Sequence, residues 1–272
     1  MASGYESDFV MIKLSACIEM IFTEVPFLER IAKVSEIGIP AFEFWDWGSK
    51  DIGEIKRRKE KYGLATATFG VDLRASIVEQ GSAGKFLKAF KDSIKVAHEL
   101  DCKTLIVTTG NELKGVPRSK QHENIVECLK GAAETAEKEK VTLVLEPLNT
   151  LVDHKGYYLN SSSEGFEIIK EVGSPNVKLL YDIYHQQIME GNIISTITKN
   201  IELIGHFHTG DVPGRHEPGT GEINYENVLR AINDAGYDGY VGLEFTPTKD
   251  PKLALKYVID VAKNINELSK RK

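Results

Sequence analysis

The chain alternates between apolar, strand-like runs and amphipathic, helix-like segments almost from one end to the other. Eight strand-like runs and eight helix-like segments follow one another in this way, with no break in composition. Strands that are separated by helices pair in parallel, because parallel neighbours need a long crossover that a tight hairpin cannot supply. The alternation therefore predicts an α/β fold built on a parallel sheet.

The number of units narrows this prediction to a barrel. The predicted strands cover residues 9–18, 41–47, 64–71, 104–110, 141–149, 177–185, 204–211 and 240–245. The helices begin near residues 26, 51, 84, 119, 163, 194, 224 and 251. Eight units in 272 residues without a Gly/Ser linker predict one (β/α)8 TIM barrel domain over residues 1–272. An open doubly wound sheet is the alternative, but no GxGxxG or Walker motif follows an early strand.

Composition excludes several classes of protein. The net charge of −6 argues against a general nucleic-acid-binding surface. No apolar run reaches the roughly 18 residues that a membrane span needs, and the N-terminus lacks the pattern of a secretory signal. The three cysteines have no short metal-binding spacing, which favours reduced thiols. We therefore expect a cytoplasmic protein that binds neither nucleic acid nor membrane.

Four potential metal ligands lie at the ends of the last four predicted strands. They are Glu146, Asp182, His208 and Glu244, spaced 36, 26 and 36 residues apart. Each interval spans about one strand, one helix and their loops. A carboxylate that closes an apolar strand is costly unless it is paired or bound to a cation. The active site of a TIM barrel lies where its strands end, so these four residues predict one metal site there.

Two glutamates, one aspartate and one histidine form a hard, mostly oxygen-donating set of ligands. Such a set suits one divalent cation, Mn²⁺ or Mg²⁺ first, with Co²⁺ and Zn²⁺ as alternatives. Any single carboxylate at a strand end is also typical of an N-cap or an ion pair. His206 competes with His208, since both side chains share one face of the strand. We prefer His208 because it lies nearer the strand end, and expect His206 to bond another group one layer lower.

Residues beside these ligands are candidates for substrate binding. His185 follows Asp182 by three residues and Asn149 follows Glu146 by three. Arg215 lies in a loop rich in Gly and Pro, where it could clamp a carboxylate or hydroxyl, although a solvated arginine is the alternative. Trp45 and Trp47 could form one wall of the pocket, and either could instead pack in the core.

The segments LEPLN, LLYDIYHQQIMEGN, IGHFHTGDVPGRHEPGTGEINY and GYDGYVGLEF resemble the xylose-isomerase-like TIM-barrel superfamily. Within it they are most similar to hydroxypyruvate isomerases and ketose 3-epimerases, and the resemblance covers nearly the whole chain. It implies that Glu146 and Glu244 are both metal ligands and the catalytic acid/base pair. It further implies that Asp182 is a ligand and that His185 and Arg215 contact the substrate.

The resemblance implies a metal-dependent isomerase that acts on a sugar or a hydroxy-keto acid through an enediolate. The long VPGRHEPG loop indicates a hydroxypyruvate isomerase, which would form tartronate semialdehyde. His208 indicates the alternative, a ketose 3-epimerase for D-tagatose or D-psicose, because typical hydroxypyruvate isomerases carry Gln there. In either case the partner is a small hydroxy-keto acid or ketose, and the families imply a homo-oligomer, a dimer or tetramer.

Two other classes of function stay open. Apurinic endonucleases of the endonuclease IV type share this barrel, but they bind several metals through more histidines and carboxylates. This chain has only seven His and is acidic, which argues against a DNA phosphodiesterase. A non-catalytic binding protein would not need the four ligands together with His185 and Arg215.

Overall fold

The computed structural model describes residues 11–71 and 76–270, and its strands close into a barrel. Eight parallel strands follow in chain order, and the last pairs with the first. They are β1 (Lys13–Cys17), β2 (Ala41–Phe44), β3 (Ala65–Gly70), β4 (Thr104–Val107), β5 (Thr142–Leu145), β6 (Val177–Asp182), β7 (Ile204–Thr209) and β8 (Tyr240–Leu243). The predicted barrel is confirmed and the open sheet is wrong. Residues 9 and 10 of the first predicted strand lie outside the described residues.

Helices connect the strands on the outside of the barrel. The described residues contain nine α-helices, one more than predicted, and none of them is long and apolar enough to cross a membrane. They are α1 (Phe27–Glu36), α2 (Ile52–Tyr62), α3 (Ala83–Glu99), α4 (Arg118–Glu139), α5 (Ser162–Val172), α6 (Ile183–Met189), α7 (Ile193–Asn200), α8 (Tyr225–Asp234) and α9 (Pro251–Ser269). A short 3-10 turn over Ile201–Leu203 follows α7 and completes the predicted sixth helix.

The additional helix is α6, because residues 183–185 were wrongly assigned to the sixth strand. Asp182 Oδ1 accepts hydrogen bonds from the backbone N–H groups of Tyr184, at 2.8 Å, and His185, at 3.2 Å. This side chain is an N-cap, which satisfies two N–H groups that a helix start leaves unpaired. The strand therefore ends at Asp182, and His185 lies in the first turn of α6 rather than in a loop.

The fifth and eighth strands end one residue before the glutamates that we placed on them. The backbone N–H of Glu146 still donates to the Val107 carbonyl, at 2.9 Å, and that of Glu244 to the Thr209 carbonyl, at 3.0 Å. These bonds continue the ladder past the last strand residue. Both glutamates are thereby fixed at the C-terminal rim of the barrel.

The barrel interior changes from apolar to polar toward its C-terminal end. Ile106, Val144 and Leu180 form a small buried cluster of their own, apart from the large core beneath the helices. Leu180 is aligned with His206, and two residues later Asp182 is aligned with His208. Side chains two residues apart share a face of the strand, so His206 lies one layer below His208.

Candidate metal centre and active site

The barrel brings the four predicted ligands together. One ligand atom from each of Glu146, Asp182, His208 and Glu244 lies within 4.8 Å of the others. All four side chains are buried. Three carboxylates that converge in a buried place repel one another and lose their hydration, which is costly unless a cation balances them.

The two ring nitrogens of His208 face different groups. Nδ1 lies 3.1 Å from Glu244 Oε2 and 3.4 Å from Glu146 Oε1, whereas Nε2 lies 3.2 Å from Glu43 Oε1. Neither nitrogen makes a hydrogen bond of good geometry within the described part of the chain. A buried nitrogen without a hydrogen bond, aimed at carboxylate oxygens, fits a hard divalent cation of the Mn²⁺ or Mg²⁺ type. These residues are therefore able to hold one metal ion.

Arg215 lies against the same carboxylates. Its Nη2 donates to Asp182 Oδ2 at 3.2 Å and to Glu244 Oε2 over a shorter distance, and its guanidinium carbon lies 5.2 Å from the centre of the Tyr184 ring. Its backbone has φ of 54°, and its carbonyl accepts from the Thr246 N–H at 2.9 Å. The arginine is thus a fixed part of the cluster, and the solvated alternative is wrong.

The loop that carries Arg215 is organised by a residue that sequence reasoning missed. The buried Asp211 carboxylate accepts hydrogen bonds from four backbone N–H groups, at 2.8 to 3.1 Å; they belong to Val212, Gly219, Gly221 and Ile223. A side chain at residue 221 would overlap the Val212 carbonyl, so glycine is needed there. Asp211 therefore folds the Gly- and Pro-rich segment around its own carboxylate.

Charge sets the protonation of the carboxylates. Burial raises the pKa of Asp182, and Arg215 only partly opposes that rise. Burial would also raise the pKa of Glu244, but in the metal-free protein the positive charges of protonated His208 and of Arg215 outweigh it and hold the pKa well below its usual value. The Trp45 indole N–H also donates to Glu244 Oε1, at 2.6 Å. Both carboxylates face Arg215 and His208, but the charge of Glu244 further raises the pKa of Asp182, whereas direct contacts with His208 and Trp45 further lower the pKa of Glu244.

His185 is held as a neutral imidazole with a defined tautomer. Its Nδ1 faces the Asn149 backbone N–H, at 3.2 Å, and the Asn149 side-chain Nδ2, at 2.7 Å. A backbone N–H can only donate, so Nδ1 accepts and the ring proton lies on Nε2. That Nε2 lies 3.5 Å from Asp182 Oδ2. Burial, with the nearby Arg215 charge, lowers the pKa of His185 to about 3.

This lowered pKa predicts how stability depends on pH. The unfolded chain binds a proton on His185 near pH 6.5, and the folded chain does so only near pH 3. Between these values acid favours the unfolded state, so His185 makes the free energy of unfolding fall as the pH falls. We expect the stability advantage of the wild type over His185→Gln to shrink from pH 7 to pH 5. Urea unfolding of the two metal-free proteins at several pH values measures this difference in the free energy of unfolding. The prediction would be contradicted if the free energies of unfolding of the two proteins changed equally with pH.

The two tryptophans that follow β2 have different places. Trp45 is 47% exposed and, with Val71 and Ile106, lines a cavity of about 280 Å³ that Glu146, His208 and Glu244 also border. Trp47 packs against the core and donates its indole N–H to Ser93 Oγ, at 3.0 Å. Trp45 is therefore the one that can contact a ligand.

Glu43 is a residue of this cluster that sequence reasoning passed over. It is 2% exposed on β2, and its carboxylate contacts both His206 and His208. The signal was present in the sequence, because Glu43 is an acidic residue inside the apolar run AFEF. Its partners are some 160 residues away along the chain, so the pairing itself could not be read from spacing.

Comparisons with known proteins agree with the barrel fold. A family model described as a xylose isomerase-like TIM barrel matches residues 31–265. The hydroxypyruvate isomerase of Escherichia coli is 32% identical over 255 residues, which cover 91% of this chain and 98% of that protein. The 2-oxo-tetronate isomerase of Cupriavidus necator is 32% identical over 244 residues, which cover 87% of this chain and 94% of that protein.

Solved structures share the same barrel. A crystal structure described as an AP endonuclease of family 2, from Brucella melitensis, matches with a TM-score of 0.87 at 30% identity and covers 92% of this chain and 99% of its own. The structure of an L-ribulose 3-epimerase has a TM-score of 0.79 at 22% identity and covers 96% of each chain. The second similarity, at that identity, shows a common fold alone.

Proposed function

The chain belongs to the xylose isomerase-like TIM barrel family, and from this membership we propose that it isomerises hydroxypyruvate to tartronate semialdehyde. It is an enzyme of the isomerase and epimerase class, as its relatives over most of the chain are. The observation that carries the proposal is the convergence of the Glu146 and Glu244 carboxylates on His208 Nδ1, with Asp182 beside them. That convergence supports a metal site bordered by two potential proton-transfer groups.

The residues of the site suit the proposed reaction. One of the two glutamates removes a proton from the hydroxymethyl carbon of the substrate, and a carboxylate returns it to the neighbouring carbon. The hydroxyl proton passes to the former carbonyl oxygen, so that atoms balance. A divalent cation bound by Glu146, Asp182, His208 and Glu244 would supply Lewis-acid stabilisation of the enediolate charge. His185 offers its Nε2–H to a substrate oxygen, and Arg215 offers its guanidinium to the substrate carboxylate.

A ketose 3-epimerase is the second candidate, and His208 favours it. In an epimerase the proton returns to the same carbon from the opposite face, which needs a carboxylate on each side of the substrate. Glu146 and Glu244 extend from the fifth and the eighth strand of the barrel, so they can flank a ligand. Trp45 and Asn149 are proposed substrate contacts in both reactions. A four-carbon acid of the kind named in the second relative is a further substrate of the same chemistry.

A phosphodiesterase acting on apurinic DNA is the remaining candidate, since one similar structure is described as an AP endonuclease. The acidic charge of the chain, −6, weakens a DNA-binding role because affinity for DNA depends on neutralising phosphates. We propose that nucleic acid is not a partner.

The identity of the cation, the extent of the domain and the place of action are proposed as well. We propose Mn²⁺ or Mg²⁺ as the cation, because oxygen donors predominate in the site. We also propose that residues 1–272 form one catalytic domain, which acts in the cytoplasm as a dimer or tetramer.

Proton exchange in D₂O tests the function directly. Metal-loaded enzyme is incubated separately with hydroxypyruvate and with fructose, tagatose and psicose, and both deuterium uptake and products are followed by NMR. We expect tartronate semialdehyde and deuterium at carbon from hydroxypyruvate, and loss of both after the metal is chelated. A 3-epimeric ketose with no reaction of hydroxypyruvate would favour the epimerase. Cleavage of abasic-site DNA, run in parallel, with no isomerisation would overturn the proposal.

A further inference from the structure

A buried carboxylate lies behind the His208 ring, on the side away from Glu146 and Glu244. Glu43 Oε1 lies 3.2 Å from His208 Nε2, and both side chains are almost fully buried. Within the described residues, neither atom has a well-aligned hydrogen bond to any other group. In the part of the chain that the structure describes, the contact between Glu43 Oε1 and His208 Nε2 is therefore the polar interaction that each of these two atoms makes.

Glu43 is itself held in place from several sides. Its Oε2 accepts hydrogen bonds from the Ser15 hydroxyl, at 2.7 Å, and from His206 Nε2, at 3.1 Å. On β8 a Cβ at Gly242 would overlap both Glu43 Oε1 and the His208 ring. The glycine leaves the space in which the carboxylate and the imidazole meet. Three strands besides β2 thus contribute to the position of Glu43.

The group Glu43, His206 and His208 has two possible uses. Its ligand atoms lie within 4.8 Å of one another, so it could bind an ion of its own. A second ion would need the lone pairs of both Nε2 atoms, those of His206 and His208. It would therefore remove the N–H groups whose hydrogen bonds Glu43 now accepts. The alternative preserves the contacts of Glu43 with both histidines. In it, the carboxylate accepts a hydrogen bond from the N–H of a histidine whose other ring nitrogen faces a metal. The observed contacts favour this second use.

We infer that Glu43 is a positioning residue that keeps a proton on His208 Nε2, so that Nδ1 presents its lone pair to the metal site. Ser15 and His206 fix the carboxylate, and the carboxylate fixes both the tautomer and the angle of the ring. The inference rests on the proposed function, because it takes the Glu146, Asp182, His208 and Glu244 group to be the metal site.

Replacing Glu43 with Gln tests the inference through metal affinity. Glutamine keeps the shape of the side chain, but only one of its two terminal atoms can accept a hydrogen bond. It therefore no longer fixes the orientation of the His208 ring. We expect the dissociation constant for Mn²⁺, measured by titration calorimetry, to rise by about 10–100-fold. Ser15→Ala is the matched control, since it removes one support of Glu43 and leaves the His208 contact; its effect should be smaller.

A double-mutant cycle separates positioning from a general structural effect. In a His208→Gln background there is no imidazole to orient, so Glu43→Gln should change Mn²⁺ affinity little further. An equal loss in both backgrounds would overturn the inference. So would an unchanged affinity in Glu43→Gln, or two ions bound per wild-type chain with one lost in Glu43→Gln.

A spectrum of the wild type tests the same point without any substitution. Long-range ¹H–¹⁵N NMR of Zn²⁺-loaded protein should show the His208 proton on Nε2 and none on Nδ1. The opposite tautomer would overturn the inference. If the wild type bound no divalent cation in calorimetry, the proposed metal site would fail as well, whereas normal binding with the wrong tautomer would overturn the role of Glu43 alone.

Discussion

Replacing Glu146 or Glu244 with glutamine is expected to lower turnover of hydroxypyruvate by about two to four orders of magnitude. Proton transfer by a placed carboxylate contributes about 10²–10⁴ to a rate, and an amide cannot accept the proton. The amide oxygen can still contact a cation, so metal affinity should change far less than turnover. Steady-state kinetics and calorimetry of each variant measure the two effects separately.

Deuterium exchange then assigns the two glutamates. The variant that lacks the proton-abstracting base should lose exchange and turnover together. If the other carboxylate returns the proton, its variant should keep exchange into the substrate without net product. Glu164→Gln is the matched control, because Glu164 also pairs with an arginine, Arg118 at 2.5 Å, but lies on α5 outside the cluster. Near wild-type turnover in both Glu146→Gln and Glu244→Gln would exclude them as the acid/base pair.

Much of this site was predictable because the strands of a parallel barrel have a recognisable pattern in the sequence. Its strands are buried on both faces and read as continuous apolar runs, so a carboxylate at the end of a run is conspicuous. Glu146, Asp182 and Glu244 were found in this way, and the shared C-terminal rim of the barrel brings them together. The prediction of their proximity needed only topology.

What was missed depends on contacts that no local pattern encodes. The helix α6 was read as strand because Ile183 and Tyr184 suit either structure, and the capping carboxylate of Asp182 decided between them. Glu43 was passed over because its meaning depends on His208, which comes from the opposite half of the chain. The fixed position of Arg215 likewise depends on the backbone bonds to Asp211, which only the folded loop displays.

Replacing Arg215 with methionine is expected to raise the KM for hydroxypyruvate by about 10–100-fold. A hydrogen bond to a charged group is worth about 1.5–3 kcal/mol, and each 1.4 kcal/mol is a tenfold change in affinity. An uncharged ketose lacks the carboxylate, so its KM should rise less.

The same substitution should make Mn²⁺ bind more tightly, because a positive charge beside Asp182 and Glu244 is removed. Metal-free protein should be less stable by about 3–5 kcal/mol, since two buried carboxylates lose their partner.

A second arginine in the chain provides the control for this prediction. Arg118 forms an ion pair with Glu164, and its guanidinium carbon lies 4.2 Å from the centre of the Tyr158 ring. Arg215 has the same kinds of neighbours, a glutamate and a tyrosine ring. It is more exposed and distant from the cluster, so Arg118→Met should leave both KM and Mn²⁺ affinity near their wild-type values. An equal rise in KM for the acid and for the ketose in Arg215→Met would mean that Arg215 orders the loop rather than binding the substrate carboxylate. Weaker Mn²⁺ binding in that variant would contradict the electrostatic argument, which predicts less repulsion of the cation once the neighbouring positive charge is removed.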